Sequence, residues 1–239
     1  MAFLAPDGSR QPIFRVPGVI ILLIALLAAA HVGRVLLPAE LSQALLERFA
    51  FIPARLSTAF LSQHGAAGVA AACLSLFTYM GLHNDLTHLA INCLWLLAFG
   101  PIVARRFGTV LFLVFFIICG VAAAAVHLAL NWGSPDTVIG ASGAISGLMA
   151  AGIRLLPSER PSWDGPVSDA PMLPLLSRQM ILFTLVWAAL NVLAGFTGFG
   201  MAGETGLIAW QAHLGGYAAG LLLSSPFDRL RQSRGSFAS

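Results

Sequence analysis

Gly140-Ala141-Ser142-Gly143-Ala144-Ile145-Ser146-Gly147 opens an apolar run that meets no charge before Arg154. Small residues recur in it four apart. Ser142, Ser146 and Ala150 form one ladder, and Gly143, Gly147 and Ala151 form the next. Such ladders let two helix backbones approach closely in lipid, where no water drives helices together. A hydroxyl in that setting is either packing glue between helices or a nucleophile. The stretch alone supports both readings.

The rest of the chain puts this stretch in a membrane. Of 239 residues, 58% are apolar and only 10% charged, whereas a water-soluble domain carries about a quarter charged residues. The net charge of +3 gives no reason to expect nucleic acid. Every basic residue is Arg and none is Lys, so lysine chemistry is excluded. Cys73, Cys93 and Cys119 stand singly in apolar stretches and read as small buried hydrophobes, not as disulfide or metal ligands.

Residues 1–16 read as a short polar tail. The apolar run Val16–Leu37 is long enough to cross about 30 Å of hydrocarbon. Its Ala28-Ala29-Ala30 end also resembles a signal-peptidase site, but an uncleaved helix is preferred. Residues 38–63 space Leu41, Leu45 and Phe49 on one helical face, as suits a helix in the interface. Ala66–Leu82 is an apolar run at the short limit for a span. Further apolar segments run from His88 to Val103, Thr109 to Leu130, Gly140 to Leu156, Gln179 to Phe196 and Gly206 to Leu223. Residues 157–178, rich in proline and acid, form an exposed loop.

If Ala66–Leu82 does not cross, six spans remain with both termini on one side. That side collects Arg10, Arg15, Arg105, Arg106, Arg154, Arg160, Arg178, Arg229, Arg231 and Arg234. The other side receives Arg34, Arg48 and Arg55. Under the positive-inside rule both termini are then cytoplasmic.

Polar residues inside spans are costly unless paired or functional. Those noted are His88 and Asn92, Ser142 and Ser146, and His213. With this orientation His88, Ser142 and the approach to His213 all come from the non-cytoplasmic side. Aspartyl chemistry needs two carboxylates in the span cores, which hold none. An H-E-x-x-H zinc site is absent, and a metal site from His83, His88 and His213 lacks a completing carboxylate or thiolate. Serine with histidine survives, as a dyad because no buried acid is available. Separately, each motif also reads as helix packing or hydrogen-bond glue. Jointly, a serine, a histidine and an amide near one membrane face weaken that reading.

These residues resemble the rhomboid intramembrane serine proteases. His88-Leu89-Ala90-Ile91-Asn92 resembles the H-x-x-x-N of the family's second helix. Gly140-Ala141-Ser142-Gly143 resembles the G-x-S-G heading the fourth. Ala212-His213-Leu214-Gly215-Gly216, followed by Gly220, resembles the A-H-x-x-G-x-x-x-G of the sixth. His83 sits where members carry a further histidine. The likeness covers residues 17–225, between a short cytoplasmic tail (1–16) and an Arg-containing cytoplasmic tail (226–239).

The resemblance implies an all-α polytopic bundle of six transmembrane helices with a long, partly embedded first loop that includes Ala66–Leu82. It implies an endopeptidase in which Ser142 attacks and His213 acts as base, with Asn92, His88 and the Ser142 N–H stabilising the oxyanion. Supporting roles fall to His83, Gly140, Gly143, Ser146, Gly216 and Gly220, with no metal and no cofactor. The implied substrates are single-pass transmembrane proteins. The implied location is a lipid bilayer, taken as the bacterial inner membrane, with the site opening to the periplasmic or extracellular side. A catalytically inactive rhomboid-like protein that binds membrane proteins is the alternative. Two departures stand out. Residues 38–82 lack the Trp-Arg pair of many members. Ser146 stands where some relatives carry an aromatic against the histidine, so other contacts, Ser146 among them, are expected to hold the imidazole. The glycine-rich stretch Ala194–Gly206 is expected to serve as a movable cap.

Overall fold

The computed structural model describes residues 16–156, 170–197 and 209–236. Readings that fall on residues 1–15, 157–169, 198–208 and 237–239 lie outside it, including most of the expected cap and the exposed proline-rich loop. The described chain forms eight α-helices: α1 (Gly18–Val35), α2 (Ala39–Phe49), α3 (Thr58–Thr78), α4 (Leu86–Phe107), α5 (Thr109–Leu130), α6 (Ser142–Leu155), α7 (Arg178–Thr197) and α8 (Trp210–Ser236). Together they make a polytopic helical bundle.

Helix α6 is its axis. Every residue from Gly143 to Gly152 is buried, so α6 is walled by protein on all sides, as an all-round apolar helix must be in a bundle core. Around it stand α4, α5 and α8, and α8 packs most extensively against α5 and α6. The small-residue ladder explains how closely. A Cβ on Gly216 would overlap the Gly143 carbonyl, and one on Gly220 would overlap the Gly147 carbonyl. On the α5 side, Cys119 and Ala123 fill the space a Cβ on Gly147 or Gly143 would need.

Among the described residues, five helical segments are long and apolar enough to cross a membrane: α1, α3 with the turn after it, α4, α5 and α7. Composition therefore admits the Ala66–Leu82 run as a span, but its tethers give a different topology. Arg34, near the end of α1, donates to the backbone carbonyls of His83 (2.8 Å) and Asn84 (2.9 Å), just before α4. The segment 36–85 thus begins and ends on one face. Between those points, Phe51 bridges to Val138 ahead of α6, and Thr78 at the end of α3 donates to the Phe49 carbonyl at 2.7 Å. Gly65, at φ 55°, breaks α3 where the chain turns back. So α2 and α3 form the long loop between the first two bundle helices, and the bundle itself is α1, α4, α5, α6, α7 and α8.

The two bundle helices that miss this test of length and composition, α6 and α8, are informative. The fourteen residues of α6 rise about 21 Å, short of the ~30 Å hydrocarbon layer. Its N-terminus, with Ser142, accordingly starts below the membrane surface when its other end reaches the opposite side. Helix α8 does not stop at Leu223; it continues through Pro226 to Ser236. Residues 226–236, expected as a tail, are therefore helical.

That extension carries a buried ion pair. Asp228 accepts from Arg106 at 2.6 and 2.8 Å, with both side chains nearly inaccessible. Arg154 is also buried and donates to the Leu173 and Leu221 carbonyls and to Ser224. Two arginines counted as loop charges are thus structural clamps on α8. Removing Asp228 strands the buried Arg106 charge, whereas removing Arg106 leaves Asp228 paired with Arg231, whose Nε lies 3.3 Å away. Asp228→Leu alone should cost about 3–5 kcal/mol, Arg106→Leu less, and the double variant less than Asp228→Leu. Denaturation of the purified singles and double in one detergent checks this; equal losses in all three would contradict it.

Candidate active site

Ser142 is the first residue of α6, and its N–H is among those a helix start leaves without an intrahelical partner. The turn into it depends on Gly140, whose φ of 115° disfavours any other residue. A Cβ there would also lie 2.7 Å from His88 Nε2. The glycine therefore admits the imidazole of α4 beside the serine. The Gly140 N–H is held by the Tyr79 carbonyl at 2.9 Å, and the Tyr79 hydroxyl reaches the Gly120 carbonyl in α5 at 2.7 Å. The end of the first loop is thereby pinned into the bundle beside the site.

Across the α6–α8 contact, His213 Nε2 lies 2.7 Å from Ser142 Oγ. The other ring nitrogen, Nδ1, lies 2.6 Å from Asn191 Oδ1 on α7. Asn191 Nδ2 donates to the Trp210 carbonyl at 3.0 Å. On the α4 side, Asp85 caps the helix by accepting from the His88 N–H at 2.8 Å. Asn92, one turn on, donates to the His88 carbonyl at 2.9 Å, which leaves its second N–H free for the cavity.

These groups share a cavity of about 530 Å³ whose lining is mostly apolar. Trp95 and Phe99 of α4 form one wall, and Phe183 and Trp187 of α7 form the other, with Met149 of α6 at depth. Helix α7 is held chiefly by α8. There the Trp187 ring stacks on Tyr217 with centroids 4.1 Å apart, and Thr184 bonds the Tyr217 hydroxyl at 2.8 Å.

The structure brings Ser142, His213, His88, Asn92 and Gly140 together around one cavity. His83 is fully buried outside its lining, with its ring edge-on to His88, 5.0 Å between centroids. Burial, and then the neighbouring His88, lowers its pKa to about 3, so it is neutral. Among the described residues no three His, Cys, Asp or Glu side chains are grouped to hold a metal ion. Ser146 departs from expectation. Its hydroxyl donates back to the Ser142 carbonyl at 2.8 Å, as helix-interior serines do, and the imidazole is bonded to Asn191 instead. Asn191 escaped the sequence reading. Its signal was an amide within the apolar run 179–196, the same kind of cost that singled out Asn92.

The Rhomboid domain family model matches residues 65–228, more than half of the chain. The chain belongs to the rhomboid family. Its match takes in α4 to α8 almost whole and every group around the cavity, and a rhomboid is an integral membrane protein crossing the bilayer several times. No curated protein matched the sequence.

Proposed function

We propose that this rhomboid is an active serine endopeptidase that cuts transmembrane segments of single-pass membrane proteins. The observation that carries the reading is the 2.7 Å approach of His213 Nε2 to Ser142 Oγ at an apolar cavity wide enough for a substrate side chain.

In this reading Ser142 Oγ attacks the scissile carbonyl carbon as its proton passes to His213 Nε2. The carbonyl oxygen takes up the negative charge. Its donors are the Ser142 N–H at the positive end of α6, the free Asn92 N–H and His88 Nε2–H. His213 then protonates the leaving amine, the C–N bond breaks, and an ester remains on Ser142. A water gives its proton to His213, attacks the ester and releases the acid, restoring the hydroxyl. The gap between α4 and α7 suits lateral arrival of a helix from lipid. A helix with weak hydrogen bonding would enter most readily, because the protease must reach an extended backbone. The arginine distribution supports cytoplasmic termini and a site open to the opposite, periplasmic or extracellular side. The Lys-free, Ala- and Arg-rich composition is what favours a bacterial inner membrane.

The oxyanion assignment makes a direct prediction. Asn92→Ala should lower kcat about 10²–10³-fold with little change in KM, because the donor acts on charge present only in the transition state. Purified protein, assayed on a reporter-tagged transmembrane segment containing a Gly-Pro break, provides the test. A rise in KM with kcat unchanged would move Asn92 from charge stabilisation to substrate binding.

A further inference from the structure

We infer that Asn191 is the positioning residue that fixes the tautomer and ring orientation of His213; the inference rests on the protease reading for its effect on rate. The argument turns on which end of the amide faces the ring. The Trp210 carbonyl can only accept, so the atom beside it must be Asn191 Nδ2, its donor. That contact fixes the amide's orientation and leaves Oδ1, which can only accept, 2.6 Å from His213 Nδ1. Nδ1 must therefore carry the proton. Nε2 is then the unprotonated nitrogen, and it is the one 2.7 Å from Ser142 Oγ. A neutral imidazole with its lone pair on the serine is the form that can accept the serine proton.

An amide in this place would ordinarily be ambiguous, because turning it over would present N–H to Nδ1 and force the opposite tautomer. The Trp210 carbonyl removes that ambiguity. It lies in α8, the helix that carries His213, so base and reference acceptor move together. Asn191 comes from α7, so the histidine is correctly set only when α7 is seated against α8. Among the described residues, the other titratable side chains lining the cavity are His88 and Tyr79, and α6 and α7 contribute none. No carboxylate among the described residues competes with Asn191 for the imidazole there.

The test uses the full chain in detergent, with Asn191→Leu to remove the acceptor at similar volume and Asn191→Asp to restore one. In ¹⁵N-histidine spectra, the resonances missing from His213→Gln should report Nδ1–H and bare Nε2 in the wild type. Asn191→Leu should lose that preference while keeping its melting temperature. Its rate of reaction with a fluorophosphonate probe, and its kcat on the reporter segment, should both fall about 10²–10⁴-fold with KM little changed. Asn191→Asp should recover at least about tenfold of that loss. The acid limb of its kcat profile should lie at higher pH, because a carboxylate favours the imidazolium. A wild-type His213 protonated at Nε2, or an Asn191→Leu protein with unchanged tautomer, rate and pH profile, overturns the inference. A wild type with the Nδ1–H tautomer, lost in Asn191→Leu, that neither cuts nor labels leaves the positioning intact and removes the protease reading.

Discussion

Ser142→Ala should abolish cleavage of the reporter segment, a fall of about 10⁶-fold if the serine and histidine act as a unit. It should also abolish labelling by a fluorophosphonate. Ser146→Ala should label within about threefold of the wild type, since it removes no reacting group. The two serines share one ladder and one helix, yet their surroundings differ. Ser142 Oγ faces an imidazole nitrogen at 2.7 Å in the cavity, at a helix start whose free N–H groups favour negative charge. Ser146 lies about 6 Å deeper by helical rise and spends its hydroxyl proton on the Ser142 carbonyl. With no base beside it, Ser146 has nothing to take its proton. Labelling that survives in Ser142→Ala but not in Ser146→Ala would reverse the assignment. A folded wild type that neither labels nor cuts would make the chain an inactive relative that binds membrane proteins.

Much of this is legible in the sequence, and the reasons are physical. Lipid forbids unpaired polar groups, so the few inside the spans stood out, and composition alone demanded a bilayer. What could not be read were relations between distant segments. Whether Ala66–Leu82 crosses is not decided by its hydropathy, which passes; it is decided by Arg34 reaching the His83 carbonyl and Thr78 reaching back to Phe49. Arg106 and Asp228 lie 122 residues apart in sequence, and each alone looks like an interfacial charge. Asn191 was readable as an expensive amide, but its partner was not. Elimination on acids alone pointed to a two-member arrangement, whereas the imidazole has a third neighbour that carries no charge. Ser146 does sit one turn behind the nucleophile, but its hydroxyl is not bonded to the imidazole, because a serine inside a helix has its nearest acceptor in its own preceding turn.

The second large effect concerns residues that never touch substrate. Gly216→Ala should lower kcat about 10²-fold or more, because near-attack geometry degrades by that factor for a displacement of about 1 Å. His213 and Gly216 are three apart, on one face of α8, and Ser142 immediately precedes Gly143 on α6. The Gly143–Gly216 contact is thus one turn from the Ser142–His213 pair. The Cβ of an alanine would overlap the Gly143 carbonyl, which is backbone and cannot rotate aside, so the helices must separate. Gly220→Ala produces the same overlap with the Gly147 carbonyl, but about 10 Å along α8 from the histidine. It should lower the melting temperature at least as much while costing less rate. Gly33→Ala is the control, since its Cβ would meet nothing within 4 Å. Kinetics and melting curves on the three proteins separate the two effects. If Gly216→Ala kept its rate within about threefold, the close approach of α6 and α8 would be packing alone. If the rate falls further in Gly216→Ala than in Gly220→Ala at matched stability, the ladder that first looked like an alternative to catalysis is what holds the serine against its base.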